Sequence, residues 1–243
     1  MTMTFLSRIR INPLRAESRR LLANPRAMHA AVIGGIPDAE RILWRLDADD
    51  PHRPHVFVLT RSKPDWTHLV EAAGWPGADG EHAAVRDYAP LLDQIAVGRE
   101  FAFRLTANPV QNTLMPDRLT PAKAARIAAA ADGERMRSFR LGHRTAAAQL
   151  DWFLSRTRRW GFDIPDTLTE PPAHEVRITD RRRHSFRKNG TGHQVTFNSA
   201  TFEGRLSVTD TAVFTRHLLD GIGPSKAYGC GLLTLAPLPG GRG

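Results

Sequence analysis

Residues 221–231 read Gly-Ile-Gly-Pro-Ser-Lys-Ala-Tyr-Gly-Cys-Gly, four glycines in eleven positions with Lys226 among them. Glycine reaches positive φ at no steric cost and lets a second backbone approach closely. Gly221, Gly223, Gly229 and Gly231 therefore mark a tight loop, not the interior of a helix or strand. Outward-facing amides in such a loop suit phosphate oxygens, and Lys226 adds a positive charge beside them. The apolar run Leu232-Leu233-Thr234-Leu235-Ala236 that follows reads as a buried strand.

Two nucleotide-binding readings fail on order. A Walker-type loop needs Gly before its Lys and Ser or Thr after it, whereas Lys226 sits between Ser225 and Ala227. A dinucleotide fingerprint runs strand, glycines, helix. Here a helix-like stretch at 210–220 comes first and a strand comes last. A simple helix stop at Gly221 followed by a turn and an anion-binding loop both remain open.

The rest of the chain alternates short strands and helices. Residues 4–12 alternate as a strand, with Phe5, Ser7, Ile9 and Ile11 on one face and Leu6, Arg8 and Arg10 on the other. Asn24-Pro25 starts a helix, Asn24 as cap and Pro25 as first helical residue. Gly34, Gly35 and Pro37 interrupt it, and Ala39, Ile42, Leu43 and Leu46 recur at the spacing of a second helical piece capped by Asp38. Residues 56–59 read as a buried strand, Pro64-Asp65-Trp66 as a helix start, and Phe101, Phe103 and Leu105 as another strand. A connector with Pro109 and Pro116 covers 109–120. An Ala-rich helix over 121–131 and a helix from about Thr145 to Trp160, burying Ala146, Leu150 and Phe153, come next. Residues 174–208 read as three strands with a turn at Asn189-Gly190. Asp210 caps a final helix that Gly221 stops. The fold expected is α+β: two tandem ferredoxin-like (RRM-like) units with antiparallel sheets, residues 1–108 and 121–243.

Charge narrows the partner. The formal net charge is +9 and only four of the 34 basic residues are lysines. That balance draws the chain to polyanions, and arginine's planar fork suits phosphate and guanine edges. Cys230 is the sole cysteine, which excludes an internal disulfide and a cysteine-based zinc site. No window approaches the ~20 apolar residues of a membrane span. Arg8 and Arg10 break any signal-peptide core, so a cytoplasmic location is expected.

The glycine-rich block, with Leu232-Leu233 after it, resembles the C-terminal signature of CRISPR repeat-processing endoribonucleases of the CasE branch. Asn24-Pro25-Arg26-Ala27-Met28-His29, Phe103-Arg104-Leu105-Thr106-Ala107-Asn108-Pro109 and Phe202-Glu203-Gly204-Arg205-Leu206 resemble that family in the same order along the chain. The resemblance implies metal-independent cleavage of precursor CRISPR RNA in the repeat stem-loop, without a cofactor. It implies retention of the product beside other Cascade subunits. It also makes His29 the catalytic residue. Many members carry tyrosine where this chain has Arg26.

The residues are compatible with that chemistry. His29 lies just past the first turn of a helix whose dipole opposes a charged imidazole and favours a bound phosphate. RNA brings its own nucleophile, the 2′-OH, so protons must be moved and charge offset. Arg26 and Lys226 are the cations for the second task. Otherwise His29 is a helix histidine satisfied by a neighbour, and the chain an RNA-binding module without activity. Arg181, Arg182, Arg183, Arg187 and Lys188, with Phe186 among them, form a basic hairpin that reads either as a solvated face or as a grip on the RNA stem. A-form RNA has a major groove too narrow for ordinary reading, so such a grip rests on phosphates or on a groove opened at the stem's end. His52 and His55 lack nearby carboxylates beyond Asp49 and Asp50 and make a weak metal site, His174-Glu175 is no zincin motif, and Ser225 lies outside any nucleophile elbow.

Overall fold

The computed structural model describes residues 3–77, 82–114, 121, 124–125, 127–128, 138–187 and 194–238. Lys188, the Asn189-Gly190 turn and most of the Ala-rich segment expected over 121–131 lie outside them.

The first unit runs β1 (Phe5–Arg10), α1 (Ala16–Ala23), α2 (Pro25–Ile33), β2 (Leu43–Asp47), β3 (His55–Thr60), α3 (Thr67–Ala73) and β4 (Ala83–Asp87), with a short α4 (Ala89–Leu92) after it. Its antiparallel sheet has the order β2-β3-β1-β4, the ferredoxin-like arrangement. Ile9, Ile11, Trp44, Val56 and Val58 on the sheet pack under Leu21, Met28, Val32 and Leu69 from the helices.

The second unit begins earlier than its composition indicates. β5 (Glu100–Ala107), expected to close the first unit, pairs instead with β10 (Gln194–Val208) and β11 (Leu233–Ala236). Phe101, Phe103, Leu105 and Ala107 need an apolar cover, and they find it under α5 (Ala146–Leu154) and α6 (Thr211–Asp220). β8 (Phe162–Asp163) completes the order β11-β5-β10-β8, and the long β9 (Val176–Arg187) pairs along β10. Strand, helix, strand, strand, helix, strand thus repeats the first unit's topology. The link between the units is the segment between β4 and β5. Residues 109–120, expected as the connector, begin inside the second unit: β6 (Val110–Thr113) forms a ribbon with β7 (Phe139–Gly142).

Two further expectations are corrected. Residues 43–47 form β2, not a second helical piece. Leu43 enters the core shared with the second unit and Trp44 the core of the first, so an edge strand with both faces covered mimics helical apolar spacing. Residues 194–208 form one strand, with a register shift at Thr201/Phe202 where two strands were expected. The helix expected over 145–160 ends at Leu154 and continues as a 3₁₀ turn over Thr157–Trp160, and its buried side chains are Gln149, Trp152 and Phe153; Ala146 is exposed.

The two units share one core. Leu43, Leu59 and Tyr88 of the first pack with Phe103, Phe202 and Leu233 of the second. Arg45, 2% exposed, pins them polarly: its guanidinium binds both Asp47 oxygens at 2.6 and 2.9 Å and donates to the carbonyls of Arg104 (2.8 Å) and Leu232 (3.1 Å).

Candidate nucleic-acid interface and active site

Helix α2 starts as its sequence predicts. Asn24 Oδ1 accepts from the amides of Arg26 (3.0 Å) and Ala27 (3.4 Å), and Pro25 has no amide to satisfy. The Met28 amide donates to the Asn24 carbonyl at 3.0 Å. The first-turn donors expected to be open to a phosphate are therefore already engaged, so an anion here is met by side chains and the helix dipole.

His29 follows on this helix and is half-buried. Its Nδ1 is buried and has no hydrogen-bond partner among the described residues. Burial pushes its pKa below the ordinary histidine value, so the neutral ring predominates at pH 7. Arg26 is exposed, one turn back.

The glycine-rich block packs directly on α2 and β2 through a 3₁₀ turn over Lys226–Tyr228. Its glycines answer two demands. Gly221, Gly223, Gly229 and Gly231 all have positive φ. At Gly229 (φ 81°) a Cβ would lie 2.9 Å from the Trp44 ring, so a side chain is excluded by both conformation and space. Most of the amides are used internally: Gly221 donates to His217, Gly229 to Lys226, and Gly231 to Thr106 at 2.7 Å. The loop's first role is thus to bring Lys226 and Tyr228 against α2. Lys226 is partly buried, which lowers its pKa, with repulsion from Arg41 adding to the effect. Cys230 is fully buried, its thiol pushed up to about 12 by desolvation, and is chemically inert as a nucleophile.

The basic ribbon splits by strand alternation. Arg181 turns toward α5, where its Nε donates to Gln149 Oε1 at 2.7 Å and its Nη2 to the Arg144 carbonyl. Arg182 points to the other face and pairs with Asp180 at 2.7 Å. Arg183 and Arg187 are exposed. The five cations read as one cluster in the sequence; Arg181 is exposed like Arg182, Arg183 and Arg187, but it is hydrogen-bonded to the fold.

On Arg182's face an aromatic group connects the ribbon to the glycine-rich turn. His184 stacks on Phe197 (4.5 Å), Phe197 on Tyr228 (5.7 Å), and Phe186 meets Tyr228 edge-on (5.0 Å). The His184 ring lies 2.9 Å from Ser199 Oγ through Nε2. Sequence alone gives no role to His184, Phe197 or Tyr228; they come from two strands and a turn, so no single stretch of sequence signals the group. Among the described residues no group of three or more histidine, cysteine, aspartate or glutamate side chains is arranged to hold a metal.

Comparison with known proteins fits this arrangement. A family model described as CRISPR associated protein matches residues 4–237. The CRISPR-associated endoribonuclease Cse3 of Thermus thermophilus is 31% identical over 242 residues, spanning 96% of this chain and all of the relative. This chain is a member of the CasE/Cse3 family. The CRISPR system Cascade subunit CasE of Escherichia coli is 26% identical, over 81% of this chain and 89% of its own length. A solved structure of Thermus thermophilus Cse3 bound to an RNA representing a pre-cleavage complex superimposes with a TM-score of 0.70 at 30% identity, covering 97% of this chain and all of that one. Membership accounts for the two ferredoxin-like units of this CasE/Cse3 protein. Among the described residues, no helix is long and apolar enough to cross a membrane.

Proposed function

We propose that this chain is an RNA-processing endoribonuclease that cuts precursor CRISPR RNA within its repeat stem-loop, in the cytoplasm, without need of a metal. The observation that carries the reading is His29: a half-buried, neutral imidazole whose Nδ1 has no partner among the described residues, on the helix that packs against the glycine-rich turn, in a chain related to an endoribonuclease over 96% of its length.

The 2′-OH next to the scissile phosphate attacks phosphorus in line. One group takes its proton and another protonates the departing 5′-oxygen, giving a 2′,3′-cyclic phosphate and a 5′-OH. His29 performs one of these transfers. Arg26 and Lys226 offset the charge that builds on the phosphoryl oxygens. Arg182, Arg183, Arg187 and Lys188 hold the RNA stem, and Arg181 stiffens the ribbon that presents them. The glycines at 221, 223, 229 and 231 shape the turn that meets the RNA backbone. After cleavage the protein keeps the mature guide and joins the other Cascade subunits around it.

The test is single-turnover cleavage of a repeat stem-loop in excess EDTA. Wild type is expected to cut; His29→Ala is expected to lose ~10²–10⁴-fold in rate while binding persists. A 2′-deoxy nucleotide at the scissile position is expected to abolish cutting. Tight binding without cleavage by the wild type overturns the reading in favour of a non-catalytic RNA-binding module.

A further inference from the structure

A cavity of about 360 Å³ lies between the two units, beside the helix that carries His29. Leu22 of α1, Pro25 and Met28 of α2, and Trp44 of β2 make its apolar wall. Arg182 and His184 of β9 face them, and Tyr228 adds an aromatic group from the glycine-rich turn. His29 is the residue after Met28 and lies one helical turn beyond Pro25, on the same side of α2.

Two features distinguish this cavity from a packing defect. Its size falls at the lower end of the ~300–1,000 Å³ of ligand pockets, room for one nucleoside and too little for a base pair. Its walls are chemically divided: apolar and aromatic side chains face a polar side where Arg182 pairs with Asp180 at 2.7 Å.

We infer that this cavity receives one unpaired nucleotide of the RNA strand, extruded from the end of the stem, and so fixes which phosphate lies against His29. The inference rests on the endoribonuclease reading above. Sequence choice in RNA is made on bases splayed out of the helix and stacked on aromatic or guanidinium planes. Here the Arg182 guanidinium offers donors and the Asp180 carboxylate paired with it offers acceptors, so they suit a base edge that carries both. His184, held by Phe197 and Ser199, is a preformed wall for the base to rest on. The cavity acts as a ruler: one base seated in it sets the register of the neighbouring backbone along α2.

The experiment measures binding of a stem-loop made uncleavable by a 2′-deoxy scissile nucleotide, with each unpaired nucleotide flanking the stem replaced in turn by an abasic site. Stacking is worth ~1–3 kcal/mol per base, so one position is expected to weaken wild-type binding by about 5–150-fold and the others by little. Leu22→Trp fills the cavity from α1. It is expected to bind the intact RNA as weakly as wild type binds the sensitive abasic RNA, and to lose the abasic effect. Arg182→Met, at an exposed side chain, is expected to reduce the same abasic effect should Leu22→Trp fail to fold. With cleavable RNA, filling the cavity is expected to spread cutting over neighbouring bonds. Tight binding with no sensitive unpaired position, or variants that keep the full abasic effect, overturns the inference and leaves the nuclease reading standing. Loss of all stem-loop binding by the wild type overturns both.

Discussion

Asn108 Nδ2 donates to Ser225 Oγ at 2.8 Å, joining residues 117 positions apart. Ser225 is the one non-glycine residue with positive φ among the described residues, at 65°. Its strained backbone sits at the start of the turn that carries Lys226 and Tyr228, and buried Asn108, at the end of β5, holds it from beneath. Asn108→Ala is expected to cost ~1–3 kcal/mol, the usual effect of leaving a buried polar partner unmade, read as a lower urea midpoint at unchanged m-value.

Gly229→Ala tests the close approach of the turn to β2. A Cβ there meets the Trp44 ring at 2.9 Å and forces a left-handed conformation on alanine. The two costs are ~1–2 kcal/mol for the backbone and ~1–3 kcal/mol for overpacking. Thermal unfolding is expected to show the loss. Gly223→Ala, with the Trp152 ring 3.6 Å away at ordinary contact, is expected to cost only the backbone part.

Arg45→Met removes a buried guanidinium that ties both units to Asp47 and to two carbonyls. Breaking such a pair from one side typically costs ~3–5 kcal/mol, because the partner is left uncompensated. Denaturant unfolding followed by two probes, one in each unit, is expected to show the loss and to separate transitions that coincide in the wild type.

The ribbon arginines are expected to differ in kind. Arg183→Ala and Arg187→Ala each remove an exposed cation, and each is expected to make the slope of log K against log salt shallower by nearly one in RNA titrations. Arg181→Ala is expected to leave that slope near wild type and to lower stability, since it frees Gln149 and the Arg144 carbonyl. Equal slopes for all three variants would contradict this division.

Stability is expected to fall as pH drops below the ordinary histidine range. Burial depresses the pKa of His29 first of all by desolvation, and does the same for His184. Their folded-state pKa values lie below the unfolded value, so the unfolded chain binds protons first and stability is lost as pH falls through about 6.5 and below. His29→Gln is expected to flatten part of this slope between pH 7.5 and 5, measured by urea unfolding.

Local signals in the chain determined local structure. Asn24 with Pro25, and Asp210 with Gly221, set the ends of α2 and α6, because capping chemistry acts over three or four residues and needs no distant partner. The glycine-rich block announced positive-φ positions, and the alternation in β1 and β5 announced strands. Tertiary structure decided what those elements met. β5 joined the second sheet because an apolar face goes where a complementary cover exists, which periodicity does not name. Leu43 to Asp47 formed a strand because two cores, one on each side, buried Leu43 and Trp44, residues that helical spacing would also bury. Arg181 is hydrogen-bonded to the fold because Gln149 of α5, 32 residues away in the chain, and the Arg144 carbonyl offer it acceptors. The Trp44, His184 and Tyr228 cavity had no single sequence signal, since its walls come from both units and exist only once Arg45 and the glycine-rich turn bring them together.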